Sequence, residues 1–176
     1  MGAQAEEDGL MRTIVSDTGP ILHLAEAGAL SLLCTAGVVV ISTAVFQELG
    51  AIVDASQLAD MNWLQVRSLE PNHLRPALDW QESGILHAGE AESLALARQT
   101  GADWYLTDDA AARLLASSLG VEVHGSLGVV LWAAATGHLC KEDATVCLHK
   151  LAESSLWVSK RVLAEACSAL DEMFSS

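Results

Sequence analysis

Thr13-Ile14-Val15-Ser16 runs straight into Asp17, and Thr18-Gly19-Pro20 follows at once. The first four residues read as a short buried strand. The next three read as a helix start, with Thr18 or Gly19 at the cap. Pro20 then takes the first helical position, where its missing N–H costs nothing. Asp17 is therefore expected at the carboxyl end of a strand, just before a helix. In open α/β sheets ligands bind at that end. The expectation is that further carboxylates gather around Asp17 to hold a divalent metal.

The same alternation recurs down the chain. Val38-Val39-Val40-Ile41 is an unbroken β-branched run, the mark of a central parallel strand. Ser42 or Thr43 then caps a helix over 44–49 that carries Glu48, and Gly50 breaks it. Residues 51–60 read as helical. Trp63-Leu64-Gln65-Val66-Arg67 alternates like a half-buried edge strand. Residues 69–83, with Pro71 and Pro76, read as a surface connection with one helical turn. Gly89-Glu90-Ala91-Glu92 opens a helix that Gly101 ends. Trp104-Tyr105-Leu106-Thr107 is the next strand, and Asp108-Asp109 follows directly. A helix over 110–119 and a last strand, Val121-Glu122-Val123-His124, come next. Gly125-Ser126 leads into a helix over 127–136, and two more cover 141–151 and 160–174. In the last helix Val162, Leu163, Ala166, Leu170, Met173 and Phe174 lie near one face. Strands alternating with helices make βαβ units, hence an α/β fold with a right-handed parallel sheet.

A length of 176 residues, half of them hydrophobic, suits one globular domain with a substantial core. No apolar run is long enough to cross a bilayer. Residues 1–11 read as a flexible acidic leader without the form of a signal peptide. Residues 12–155 read as the domain, and 156–176 as an amphipathic helix packed on it or used for association. Cys34, Cys140, Cys147 and Cys167 show no CxxC spacing. They read as reduced, buried thiols of a cytoplasmic protein. Nine Lys and Arg against 23 Asp and Glu give a net charge of −14. That is not the basic footprint of most nucleic-acid binders. A basic partner, or an acidic cleft neutralised by metal, fits it better.

Acids follow three strands: Asp17, Glu48 about a turn into its helix, and Asp108-Asp109. Glu90 and Glu92 stand at a helix start before the third of these strands. Such a cluster suits Mg²⁺ or Mn²⁺, which prefer hard oxygen ligands. Each acid also has an ordinary role. Asp17 could merely end its strand, and Glu48 could be solvated. Glu90 and Glu92 could complement a helix dipole, and two residues apart they point to nearly opposite sides. Asp108 or Asp109 could be an N-cap. His23 and His124 follow strands and could approach the cleft, with a satisfied packing role the favoured reading. Gly125-Ser126 could present N–H groups to a phosphate or simply cap a helix. No HExxH, GxSxG, Walker A or GxGxxG motif is present.

The ordered set of Val15-Ser16-Asp17-Thr18-Gly19-Pro20-Ile21, Val45-Phe46-Gln47-Glu48, Gly89-Glu90-Ala91-Glu92-Ser93-Leu94-Ala95-Leu96-Ala97, Leu106-Thr107-Asp108-Asp109 with Arg113, and Gly125-Ser126-Leu127-Gly128 resembles PIN domains. The resemblance is nearest to a VapC-like bacterial and archaeal branch. It covers roughly residues 12 to 155. It implies a three-layer α/β/α fold around a parallel sheet of four to five strands. It also implies a Mg²⁺- or Mn²⁺-dependent endoribonuclease site of three or four acids. By position Asp17 is the first acid and Glu48 the second. The third is Glu92 or Glu90, with Glu92 the better match, and the fourth is Asp108 or Asp109. Toxin-type members pair with a small antitoxin and commonly form homodimers. The alternative is a non-catalytic PIN-fold module that binds protein or RNA. A small-molecule phosphatase or phosphodiesterase using the same metals is a third class.

Overall fold

The computed structural model describes residues 11–175, so nearly all of the expected leader lies outside the described residues. Strand β1 (Thr13–Ser16) leads into α1 (Thr18–Glu26) and α2 (Ser31–Ala36). Strand β2 (Val38–Ser42) leads into α3 (Thr43–Ile52) and α4 (Ala55–Asp60). Strand β3 (Gln65–Arg67) is followed by α5 (Pro71–Glu82) and α6 (Ala88–Thr100). Then come β4 (Trp104–Leu106), α7 (Ala110–Ser118), β5 (Val123–His124) and α8 (Ser126–Ala135). Helices α9 (Lys141–Glu153) and α10 (Lys160–Met173) complete the chain.

The five strands pair in parallel in the order β3-β2-β1-β4-β5. The chain winds one way from β1 to β3 and the other way from β4 to β5. The boundary between β1 and β4 is thus a topological switch point, where a crevice opens at the carboxyl edge. Asp17 and Asp108 follow these two strands.

Side chains alternate across the sheet with period two. Ile14, Val39, Ile41, Trp104 and Leu106 face one core with α1, α2, α8, α9 and α10. Val15, Val40 and Tyr105 face the other with α5, α6 and α7. Helices therefore cover both faces, and the expected three-layer α/β/α fold is present.

Several local expectations are corrected. Asp17 caps α1 itself: its backbone is extended and its carboxylate accepts the Thr18 N–H at 2.7 Å. Pro20 is thus the third helical residue, not the first. Gly50 does not break α3, which continues to Ile52. The break comes at Asp54, whose capping box with Gln57 starts α4.

The segment with two prolines is a twelve-residue helix, α5. Pro71 starts it, as a first-turn proline can. Pro76 removes one backbone bond, and the burial of Ala77 with Trp80 packed against α6's core outweighs that loss. The cysteines are free, but Cys34 and Cys140 are exposed and the other two only partly covered. Of the apolar face on α10, Ala166 and Leu170 are buried and Leu163 packs against the core, whereas Val162, Met173 and Phe174 remain well exposed. No described helix is long and apolar enough to cross a membrane.

Candidate functional site

The crevice at the switch point holds a cavity of about 410 Å³. Asp17, Glu48, Glu90, Asp108 and Asp109 line it, together with His23 and His87. Among its described lining residues there is no Lys or Arg.

Asp17 is only 6 % exposed. One oxygen accepts from the Thr18 N–H, and the other accepts from the Thr107 hydroxyl at 3.1 Å. Burial pushes its carboxyl up to about 7; the Thr18 N–H opposes this, the Glu90 charge adds to it, the Thr107 hydroxyl opposes it, and the Glu48 charge adds a little more. Near neutrality Asp17 is thus poised between its two protonation states.

Glu48 projects from α3 toward the start of α6. Its carboxylate accepts from the Gly89 N–H at 3.0 Å and from the Thr18 hydroxyl. Gly89 has to be glycine for this approach, because a Cβ there would lie 2.7 Å from the Glu48 carboxyl carbon.

Glu90 closes the capping box of α6, accepting the His87 N–H at 2.8 Å. It lines the cavity while doing so. Buried Tyr105 and Ser93 both donate to the Glu90 carbonyl, at 3.3 and 3.1 Å, and pin that first turn over the sheet. Glu92 points elsewhere. Its carboxylate accepts the Ala44 N–H at 3.0 Å, at the start of α3, and it is not among the residues that line the cavity.

Asp108 and Asp109 divide the work expected of either. Asp109 caps α7 by accepting the Ala112 N–H at 2.7 Å. Asp108 faces the crevice. Burial alone would raise its pKa, but His23 and both the hydroxyl and the N–H of Ser126 hold it below the usual carboxylate range. The contacts are 2.7 Å to His23 Nδ1, 2.5 Å to Ser126 Oγ and 2.7 Å to Ser126 N.

Gly125 is the second close approach. A Cβ there would lie 2.7 Å from Asp108 Oδ1 and 2.9 Å from Arg113 Nη1. The Gly125-Ser126 amide thus serves a carboxylate of the chain itself, where a phosphate or a plain cap was expected. Likewise His23 is a partner of Asp108 at the cavity, the less favoured of the two readings made of it. The signal for His23 was its spacing. Gly19 lies four residues before it, and a helical side chain leans toward the N-terminus, so the ring passes over Gly19 toward the crevice.

The donor set has the chemistry of a hard-cation site: carboxylate oxygens, a nearly buried Asp17 with its charge suppressed, and like-charged neighbours. Among the described residues, however, no three His, Cys, Asp or Glu side chains already converge on one point. Internal donors hold Glu48, Glu90 and Asp108 in place. They line one cavity without forming a closed cage.

A parallel α/β domain with an acidic crevice at its switch point defines the class. A family model described as a PIN domain matches residues 13–172. The chain belongs to the PIN domain family. That family has a nuclease-type fold, generally uses divalent metal ions and binds nucleic acid. The match extends through nearly all of α10. Among curated proteins none matches this chain.

Proposed function

We propose that the chain is a metal-dependent endoribonuclease whose site is the Asp17 crevice. The observation that carries this reading is the gathering of Asp17, Glu48, Glu90 and Asp108 around one cavity without a Lys or Arg among its described lining residues. Asp17 and Asp108 would hold the principal Mg²⁺ or Mn²⁺, with Glu48 and Glu90 beside them. Bound there, the ion would activate water and stabilise charge at phosphorus. Glu90 takes the place that the resemblance offered first to Glu92, because Glu92 is occupied at Ala44.

The protein's own groups have distinct parts. Asp17 must lose its proton to offer both oxygens, and an approaching cation favours that loss. Ser126 and His23 fix the Asp108 carboxylate. The Gly89 N–H and the Thr18 hydroxyl fix Glu48. Such fixed ligands reorganise little on binding.

Purified protein incubated with RNA in Mg²⁺, Mn²⁺ or EDTA tests the reading. The expected result is metal-dependent cutting that leaves 5′-phosphate and 3′-hydroxyl ends. The resemblance supports a toxin role with a small antitoxin, and a homodimer. Growth arrest on induction and the mass in solution test those two points.

One observation favours a second reading, a PIN fold that binds RNA or protein without cutting. Both oxygens of Asp108 already have partners within the chain, and the net charge is −14. Tight RNA binding without cutting in any of the metals would select it.

A further inference from the structure

A second cavity, of about 510 Å³, opens beside the acidic one between α8, α10 and the segment that joins α9 to α10. Its walls are mainly apolar, with Leu127, Leu131, Val162 and Ala166 among them. The two cavities share Asp108, Leu156 and Trp157. Trp157 is 87 % exposed, the most exposed of the large hydrophobic side chains among the described residues.

This tryptophan is not on a loose tether. The Ser155 N–H and hydroxyl both donate to Glu26, at 2.6 and 2.8 Å. The Leu156 N–H donates to Ser154 Oγ at 3.1 Å, and the Leu156 side chain packs against the core. The backbone on the N-terminal side of Trp157 is thus tied to α1, while the indole stands free above the boundary between the cavities. An exposed indole is costly in water, and tying its backbone to the rim of a cleft keeps a flat apolar surface in reach of both cavities. Arg113 is the only Lys or Arg among the described residues lining the two cavities. It stands at the same boundary, beside Asp108 and Gly125.

We infer that Trp157 is a stacking platform for one unpaired nucleobase of the substrate, which enters the apolar cavity while the neighbouring phosphate lies at the acidic one. The inference rests on the ribonuclease reading and adds the residue that would hold one base of the substrate. A base inside an A-form helix is stacked on both faces and unavailable to the indole, whereas an unpaired base can splay onto an aromatic ring. Stacking needs no positive surface, so it supplies affinity that a chain of net charge −14 cannot draw from long-range attraction. Arg113 adds a local cation where the backbone would pass from one cavity to the other.

The test is a cycle between the side chain and the base. A short fluorescein-labelled oligoribonucleotide is titrated in Ca²⁺ with wild type, Trp157→Phe and Trp157→Ala, its integrity checked on gels. Copies carrying one abasic position in turn are titrated alongside. Trp157→Ala is expected to weaken binding about 5- to 100-fold, and Trp157→Phe much less. One abasic position should weaken wild-type binding by a similar factor and leave Trp157→Ala unaffected. Duplex RNA should show no dependence on Trp157. Unchanged thermal unfolding of Trp157→Ala would exclude a folding effect.

Wild type that binds and cuts RNA with Trp157→Ala unchanged would overturn this inference alone. Equal abasic penalties in wild type and Trp157→Ala would also overturn it. Wild type that neither binds nor cuts any RNA would overturn the ribonuclease reading, and this inference with it.

Discussion

The Gly89 N–H donates to Glu48 Oε1 at 3.0 Å, joining the first turn of α6 to the middle of α3. The contact exists because residue 89 has no side chain. It explains why a glycine stands directly before Glu90, and why Glu48, far from Asp17 in sequence, borders the same cavity. Gly89→Ala should push the flexible Glu48 carboxylate off the amide, and loss of the hydrogen bonds it accepts there should cost about 1–2 kcal/mol. By contrast Gly50→Ala sits on an exposed turn of α3, where its Cβ would meet only Leu58 at an ordinary 3.7 Å. It should stabilise by up to about 1 kcal/mol. Urea unfolding of both variants checks the pair; equal effects would show that the Gly89 approach is not tight.

Asp17 gives a pH signature. Its pKa is 3.8 in a model peptide and about 7 in the fold. Between those values the folded protein holds a proton that the unfolded chain has released. Stability from this group therefore falls as pH rises from about 4 to about 7. Without metal, Asp17→Asn should be the more stable protein at about pH 8, by up to roughly 4 kcal/mol, and close to wild type at about pH 4. Added Mn²⁺ should reverse the order at the higher pH, since only wild type regains its ligand. A difference independent of pH would mean that Asp17 titrates normally.

Asp108 behaves in the opposite sense. Its pKa is depressed, so its contribution is present above the unfolded value and lost as pH falls through the folded one. Ser126→Ala removes the hydroxyl at 2.5 Å and keeps the N–H. Asp108 should then titrate higher, and the fold should lose about 1–2 kcal/mol. Carboxyl NMR titration reads the first effect and thermal unfolding the second.

Strands β1, β2 and β4 were legible because each is a compact β-branched or aromatic run with a helix signal behind it. Asp17 and the Asp108-Asp109 pair were legible for the same reason: they leave the sheet at its carboxyl edge, although local sequence did not say which of the pair would cap α7. Other features depend on contacts that local sequence does not carry. Nothing near Glu90 and Glu92 says that the Ala44 amide is waiting for one of them. Nothing near His23 says that Asp108 lies within 2.7 Å. Helix α5 was hidden by its two prolines, which local rules treat as breakers, although packing against α6 outweighs the single bond that Pro76 removes. Trp157 gave no signal in the sequence, because only the fold shows that it borders both cavities.

The most direct measurement is metal-dependent RNA cleavage by wild type, Asp17→Asn and Asp109→Asn, with EDTA as the blank. Asp109 caps α7, and Asn caps equally well, so Asp109→Asn should keep most of the rate. Asp17→Asn should lose about two orders of magnitude or more. Cleavage that survives EDTA, or that Asp17→Asn leaves intact, would contradict a metal-dependent site centred on Asp17.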